Sequence, residues 1–292
     1  MLTGLLFISP AIIGFMVFIA YPLIASLYYS LTRYDVLSAP RWVGFANYEQ
    51  LFNRDETFRK GIENTLYMVL IGLPIHLLFD LFVALLLNLK VRGMSIYRTI
   101  FYMPSVVPAV VSAILWLWIF NGQYGLLNAV LYLFHLPPQG WLTSPALAKP
   151  SMIFMGIWYG GNTIIILLAA LQDVPVELYE AAELDGAGTV ARTFNVTLPM
   201  ITPAIFYTLI IGTIGYFQFF TEAWVLTATR DGGAGGPAQS LMFYAIYLYQ
   251  NAFIFFKMGY ASAMAWILFL IILVTTILLF RFSDWVYYRG KN

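Results

Sequence analysis

The stretch ELYEAAELDGAGTVARTFNVTLP, residues 177–199, together with Asp173 just ahead of it holds five of the fourteen acidic residues of the chain. Its local grammar is that of a helix, a turn and a second helix. Pro175 suits a first helical turn, where a missing N–H costs nothing. Glu177 and Glu180 follow in the first turns, where carboxylates favour the positive helix end. Tyr179, Ala182 and Glu183 stand three and four residues apart and share a face. Gly186 or Gly188 can end the helix in a left-handed conformation. Thr189 can cap a second short helix, which Pro199 bends toward the segment that follows. The expected product offers one acidic, small-residue face outward. Its alanines permit close approach by another backbone, and its carboxylates suit a basic or amide-lined groove. A solvated acidic loop between helices would carry the same charge.

The surrounding chain is apolar. Of 292 residues, 61% are hydrophobic and 10% charged, against about half and about 25% in soluble domains. That leaves too little polar surface to cover the fold in water. The net charge of +1 and the lack of a basic tract give no bias toward nucleic acid. The chain has no cysteine, which excludes disulfides, thiolate metal sites and a cysteine nucleophile. A helix needs about 20 residues to cross roughly 30 Å of hydrocarbon. Six runs meet that length: residues 4–31, 64–89, 96–120, 151–171, 201–227 and 258–280. The first is too long for a signal peptide. All are apolar around their circumference, so they span the bilayer rather than lie on it. The expected fold class is an all-α membrane protein of six transmembrane helices.

The connections alternate in kind. Residues 32–63, 121–150 and 228–257 form long loops, and GGAGGP (232–237) reads as a flexible turn in the last of them. The other side carries the short KVRGMSIYR (90–98), the acidic stretch and the tail RFSDWVYYRGKN. Lys90, Arg92 and Arg98 crowd one tight loop, and Arg281, Arg289 and Lys291 close the chain. Basic residues concentrate in short cytoplasmic loops, which places both termini, the 90–98 loop and the acidic stretch in the cytoplasm.

The acidic stretch resembles the EAA loop of binding-protein-dependent ABC importer permeases. That loop reads E-A-A, three residues, G, nine residues, I, one residue, L-P. Here Glu180-Ala181-Ala182, Gly186, Val196 and Leu198-Pro199 fall at those spacings, with Val196 for isoleucine as the departure. Asp185 and Ala187 complete the common DGA. The segments SLTRYD (30–35), WVGFANYEQLF (42–52), RGMSIYRTIFYMPSVV (92–107), GYASAMAW (259–266) and FRFSDWVYY (280–288) extend the resemblance over nearly the whole chain. They are similar to the sugar-type permeases of the maltose and glycerol-3-phosphate class, more to the first permease of the pair than to the second.

The resemblance implies a first helix and outer loop (1–63) followed by a five-helix permease core (64–292), with the EAA loop at 173–200. It implies a multi-pass subunit of a bacterial or archaeal cytoplasmic membrane, in contact with lipid. A second permease, paired ATPase subunits, an extracytoplasmic solute-binding protein and a carbohydrate substrate are the implied partners. ATP and magnesium would be held by the ATPases and no cofactor by this chain. The helix at 175–186 would be the coupling helix, with Glu177, Tyr179, Glu180, Ala181, Ala182, Asp185 and Gly186 against the ATPase and Glu180 most central.

Polar and aromatic groups inside spans are candidates for a ligand path. The segments MGIWYGGNT (155–163) and GTIGYFQFF (212–220) thin two helices with glycine and supply rings, hydroxyls and amides suited to sugars. Tyr159, Gly212, Tyr216 and Phe219 fall near the positions that contribute to the membrane binding site in sugar permeases of this type. Asn162 adds an amide. Glycine-rich faces also serve plain helix packing. Glu222, near the outer end of its span, suits a rim contact or a snorkelling side chain. His76 and Asp80, four residues apart, could pair with each other or with a neighbouring helix. An ion-gradient carrier would use these three as a relay. No phosphate-binding G-x-x-x-x-G-K-[ST], H-E-x-x-H or G-x-S-x-G pattern is present, so the chain shows no ATPase loop, hydrolytic nucleophile or metal site of its own.

Overall fold

A computed structural model describes residues 2–228 and 235–287. The turn expected at 232–237 lies partly outside them, and Arg289 and Lys291 lie wholly outside. Four helical stretches among the described residues are long and apolar enough to cross a membrane: Phe7–Ser30 (α1), Glu56–Leu87 (α3), Thr189–Ala228 and Met258–Arg281 (α13). The short Ala46–Arg54 (α2) lies between the first two. Two further spans are broken pairs. Met94–Val106 (α4) and Ala109–Ile119 (α5) are bent by 100°, and Pro145–Ile157 (α7) and Gly161–Gln172 (α8) by 50°. The total is four, or six if each bent pair is one span.

The straight third span expected over 96–120 is therefore broken, and proline is the cause. Val107 precedes Pro108 and is extended, as a residue before proline prefers, and Pro108 is extended too. The fourth span bends after Ile157, where Trp158, Tyr159 and Gly160 form a turn. It also begins earlier than expected, at Pro145.

Other prolines bend nothing sharply. Pro22, Pro74 and Pro199 each stand two residues after a wide helical turn, at Met16–Ala20, Met68–Gly72 and Thr193–Thr197. A proline lacks an N–H and crowds the carbonyl four residues back. An i→i+5 turn just before it relieves that clash while the helix continues.

Lipid solvates apolar side chains as well as a protein interior does, so the bundle is held by close packing and polar contacts rather than by hydrophobic burial. Phe18, Leu70, Leu78 and Trp118 are accordingly exposed. The buried residues fall into clusters. One gathers Met68, Trp116, Phe120, Met152, Met155 and Phe243. Another joins Phe58, Phe217, Tyr244, Tyr260 and Met264. A third, toward the expected cytoplasmic end, holds Val83, Leu87, Leu167, Leu171 and Ile201. Along α3 the buried apolar residues run through Met68, Val69 and Leu73, stop, and resume at Val83. His76 and Asp80 lie in the gap.

The end expected outside is stitched by side chains. Asp55 caps α3, with Oδ1 accepting from Phe58 N at 2.8 Å. Its Oδ2 accepts from the hydroxyls of Tyr247 at 2.6 Å and Tyr260 at 2.5 Å. Tyr247 lies on the short helix Tyr244–Tyr249 (α12). Burial, then the bond to Asp55, holds its phenol above the usual range, so it remains a donor. Asn64 donates to the carbonyls of Gln239 and Met242 and accepts from Lys149 Nζ at 2.9 Å. The returning segment 237–257 is thus fastened to the start of α3. Among the outer connections, Leu126–Leu133 (α6) is held through Asn128, which bonds Gly122, Gln139 and Trp141.

Candidate functional site: a ring-lined cavity and an exposed acidic helix

Helix Leu198–Phe217 (α10) completes the walls of a cavity of about 350 Å³ between α3 and the α7–α8 break. Tyr159, Asn162, Gly212, Tyr216 and Phe219 all line it, so the structure brings these five sequence candidates together. His76 and Asp80 line it as well. Glu222, in the first turn of Thr221–Ala228 (α11), is not among the lining residues.

The walls are built by side chains fitted into glycine notches. A Cβ on Gly156 would meet the His76 ring, and one on Gly160 would meet Asp80 Oδ1. The spacing of four on α3 matches the spacing of four across the break, so two consecutive turns interlock. Gly212 serves a similar purpose, since a Cβ there would stand 2.5 Å from Leu73 Cδ1.

Hydrogen bonds orient the upper wall. His76 Nε2 meets the carbonyl of Ile153 at 2.6 Å. A carbonyl only accepts, so Nε2 carries the proton, and in the uncharged ring Nδ1 then accepts. The Tyr216 hydroxyl donates to that Nδ1. Its ring stacks against Phe219, with centroids 6.3 Å apart and an interplanar angle of 14°. The result is an aromatic face held at a set angle beside Asn162, Thr163 and Thr208. Tyr159 reaches the carbonyl of Ala109 at 3.4 Å. No hydrogen bond or ion pair joins His76 to Asp80 among the described residues, so the pairing of the two with each other is not formed. Asp80 is 4% exposed, and its Oδ1 has no hydrogen-bond partner.

The sequence alone favoured a pair or interfacial role for His76 and Asp80 over the pathway, and the glycines of 155–163 read as thinning their helix, without partners for Gly156 and Gly160. The usable signal was the shared spacing of four: two polar residues on one span and two glycines on another.

The acidic stretch forms the helix Val176–Leu184 (α9) with Pro175 at its N-cap. It ends in a double turn: Gly186 has φ +79°, Gly186 N donates to Glu183 O, and Ala187 N donates to Ala182 O. Gly186, not Gly188, takes the left-handed position that glycine adopts without strain. Thr189 makes no side-chain cap, since Gly188 stands at the N-cap of the next helical turn.

The face expected outward is partly turned in. Tyr179 hydrogen-bonds Thr197 at 3.0 Å and Glu183 pairs with Arg192 at 2.5 Å, which ties that face to the following segment. Glu177, Glu180, Ala181 and Leu184 are exposed along one stripe, and Leu184 is 90% exposed. Asp185 and Gly186 are exposed at its end, and Ala182 is half-buried.

An apolar bundle around a ring-lined cavity that carries a few polar groups, with an acidic helix at one end, has the build of a membrane permease component. The profile of the family described as binding-protein-dependent transport system inner membrane component matches residues 77–289. The probable ABC transporter permease protein YesP of Bacillus subtilis is 42% identical, over all of this chain and 94% of that protein. The arabinooligosaccharides transport system permease protein AraP of the same organism is 32% identical, over 95% of this chain and 87% of that one. A crystal structure of a bacterial ABC transporter involved in the import of the acidic polysaccharide alginate superposes with a TM-score of 0.83 at 25% identity, covering 96% of this chain and 94% of that one. The chain belongs to the binding-protein-dependent transport system inner membrane component family, and its fold is that of an ABC importer permease.

Proposed function

We propose that this chain is the permease subunit of an ATP-driven, binding-protein-dependent importer of a carbohydrate. It crosses the membrane six times, each bent pair counting once, with residues 64–292 as the core unit after a first helix and outer loop at 1–63. It forms half of the translocation pathway beside a second permease. Helix α9 is the coupling helix, presenting Glu177, Glu180 and Ala181 to a cytoplasmic ATPase that holds ATP and magnesium. An extracytoplasmic solute-binding protein delivers the ligand.

The observation that carries this reading is the family match across residues 77–289, which includes the EAA stretch. Relatives named for arabinooligosaccharides, lactose and trehalose/maltose support the carbohydrate class. A related transporter solved with an alginate pentasaccharide-bound periplasmic protein supports delivery by a binding protein. Relatives from Bacillus and Pyrococcus fit a bacterial or archaeal inner membrane. An ion-gradient carrier is not favoured: it has no ATPase to dock, and the His76–Asp80 contact that its relay would use is absent.

The mechanism needs no bond chemistry. ATP-driven closure of the ATPase pair moves the attached helices as rigid bodies and exposes the cavity to alternate sides. Transport follows from the differential stability of the two states. The test is uptake and ATP hydrolysis in proteoliposomes holding the assembled importer. Binding protein loaded with maltose, trehalose, lactose, arabinotriose, alginate trisaccharide or glycerol 3-phosphate is supplied from outside. Stimulation by one of them, lost in Glu180→Lys together with the ATPase, is expected. Uptake that survives ATP depletion and collapses with an uncoupler would overturn the reading.

A further inference from the structure

Among the described residues Asp80 is the one acidic group lining the cavity, and no lysine or arginine lines it with Asp80. Its Oδ1 is buried without a hydrogen-bond partner. An unsatisfied polar atom inside a membrane bundle is costly, and such atoms call for an explanation. His76, one turn away, cannot serve, because Ile153 and Tyr216 occupy both of its nitrogens. Gly160 supplies the room, since any side chain there would displace the carboxyl. Oδ1 is sealed in the Gly160 notch, so Oδ2, which has no hydrogen-bond partner among the described residues either, is the oxygen left toward the cavity, on the same wall as His76, which fixes the Tyr216 ring.

We infer that Asp80 is a specificity residue: its Oδ2 takes a hydrogen bond from a saccharide hydroxyl while the sugar ring lies against Tyr216 and Phe219. This deepens the carbohydrate reading above and rests on it. A hydroxyl both donates and accepts, so it satisfies the carboxyl whether that group is charged or protonated. Among the described residues of this chain, a carboxylate or phosphate on the ligand has no cation to meet in the cavity. The part of the ligand that reaches Asp80 is thus an unmodified hydroxyl-bearing ring, and any acidic group on the substrate lies elsewhere. Asn162, Thr163 and Thr208 complete the polar lining around that ring.

The experiment uses the whole importer in proteoliposomes, with the binding protein saturated by each saccharide so that its own selectivity drops out. The probes are the members of the panel above that the wild type transports, and their monodeoxy derivatives. In the wild type, removal of one particular hydroxyl is expected to slow uptake about tenfold or more, the size of a hydrogen bond to a charged or buried group. In Asp80→Ala that penalty disappears, because parent and deoxy sugars are handled alike. Asp80→Asn, which keeps an acceptor oxygen, retains part of it. Gly160→Ala, which leaves Asp80 in the chain but pushes its carboxyl aside, behaves like Asp80→Ala. It decides the matter where the Asp80 variants do not assemble. A wild type that penalises no monodeoxy sugar overturns the assignment, as does a penalty unchanged in every assembled variant. So does uptake that requires sodium and treats all hydroxyl analogues alike, since the carboxyl would then hold a cation. If the wild type transports no saccharide at all, the carbohydrate reading falls, and the assignment with it.

Discussion

The imidazole of His76 occupies the volume that a side chain at position 156 would need. One turn further along both helices, Asp80 and Gly160 repeat the arrangement. This pair of interlocks fixes the register of α3 against the α7–α8 break, and with it the shape of the cavity. In lipid, where burial of apolar surface gives helices no reason to associate, such notches are the packing device available.

Gly156→Ala is therefore expected to destabilise the bundle by about 1–3 kcal/mol, the usual cost of overfilling a packed site. His76→Ala in the same chain should recover part of that loss, since the ring that clashes is gone. Thermal midpoints of the purified complex for the single and double variants close the cycle. Additive losses would show that the two residues do not share the volume.

Tyr216→Phe keeps the ring that stacks on Phe219 and removes the hydroxyl that His76 Nδ1 depends on. A buried acceptor left unpaired costs about 1–3 kcal/mol. The expected outcome is a lowered thermal midpoint together with a raised KM for uptake, because the ring loses its fixed angle. A variant with wild-type stability and KM would remove the hydrogen bond from the account of the cavity.

Asp55 joins three segments through one carboxylate: the start of α3, Tyr247 and Tyr260. Asp55→Ala removes a helix cap, typically worth about 1 kcal/mol, and two bonds to a charged group, each worth about 1.5–3 kcal/mol. The segment 237–257 should then be cut by protease added to the outer face of right-side-out vesicles. Asp55→Asn, which keeps an oxygen for Phe58 N, should show a smaller effect. Equal resistance in all three proteins would argue that Asp55 does not hold the outer segment.

The Glu183–Arg192 pair is a contrasting case, for Glu183 is 63% exposed at its side chain. Exposed pairs contribute about 0.2–1 kcal/mol. Arg192→Ala should leave the thermal midpoint nearly unchanged and still capture the ATPase in a pull-down, where Glu180→Lys does not. Loss of capture in Arg192→Ala would move the coupling surface from the exposed stripe to the Arg192 side of α9.

Much of the molecule was legible in the amino-acid order. Apolar runs of bilayer length marked the four long helices and the places of the two bent pairs, because a chain in hydrocarbon has to satisfy its backbone within each segment. The helix of the acidic stretch was readable from Pro175, the early carboxylates and a glycine stop, all of which act within one or two turns. Tyr159, Asn162, Tyr216 and Phe219 stood out because polar groups and rings are scarce inside spans.

Other features depended on which turns meet in space. The 100° break at Val107 and Pro108 had a local cause in Pro108, yet Pro22, Pro74 and Pro199 carry the same residue through continuous helix. Each of the three follows a wide turn that relieves its clash, and the sequence does not announce it. On α9 the acidic residues are exposed as expected, but Tyr179 is half-buried against Thr197 and Glu183 pairs with Arg192, contacts the sequence did not announce. His76 and Asp80 share a helix face by spacing alone, but pairing across helices decided their partners. Gly156 and Ile153 received His76, and the notch at Gly160 received Asp80 Oδ1 without giving it a hydrogen-bond partner. Local order thus determined the elements and the residue types within them. Register between helices, which depends on side chains meeting notches far away in sequence, decided the site.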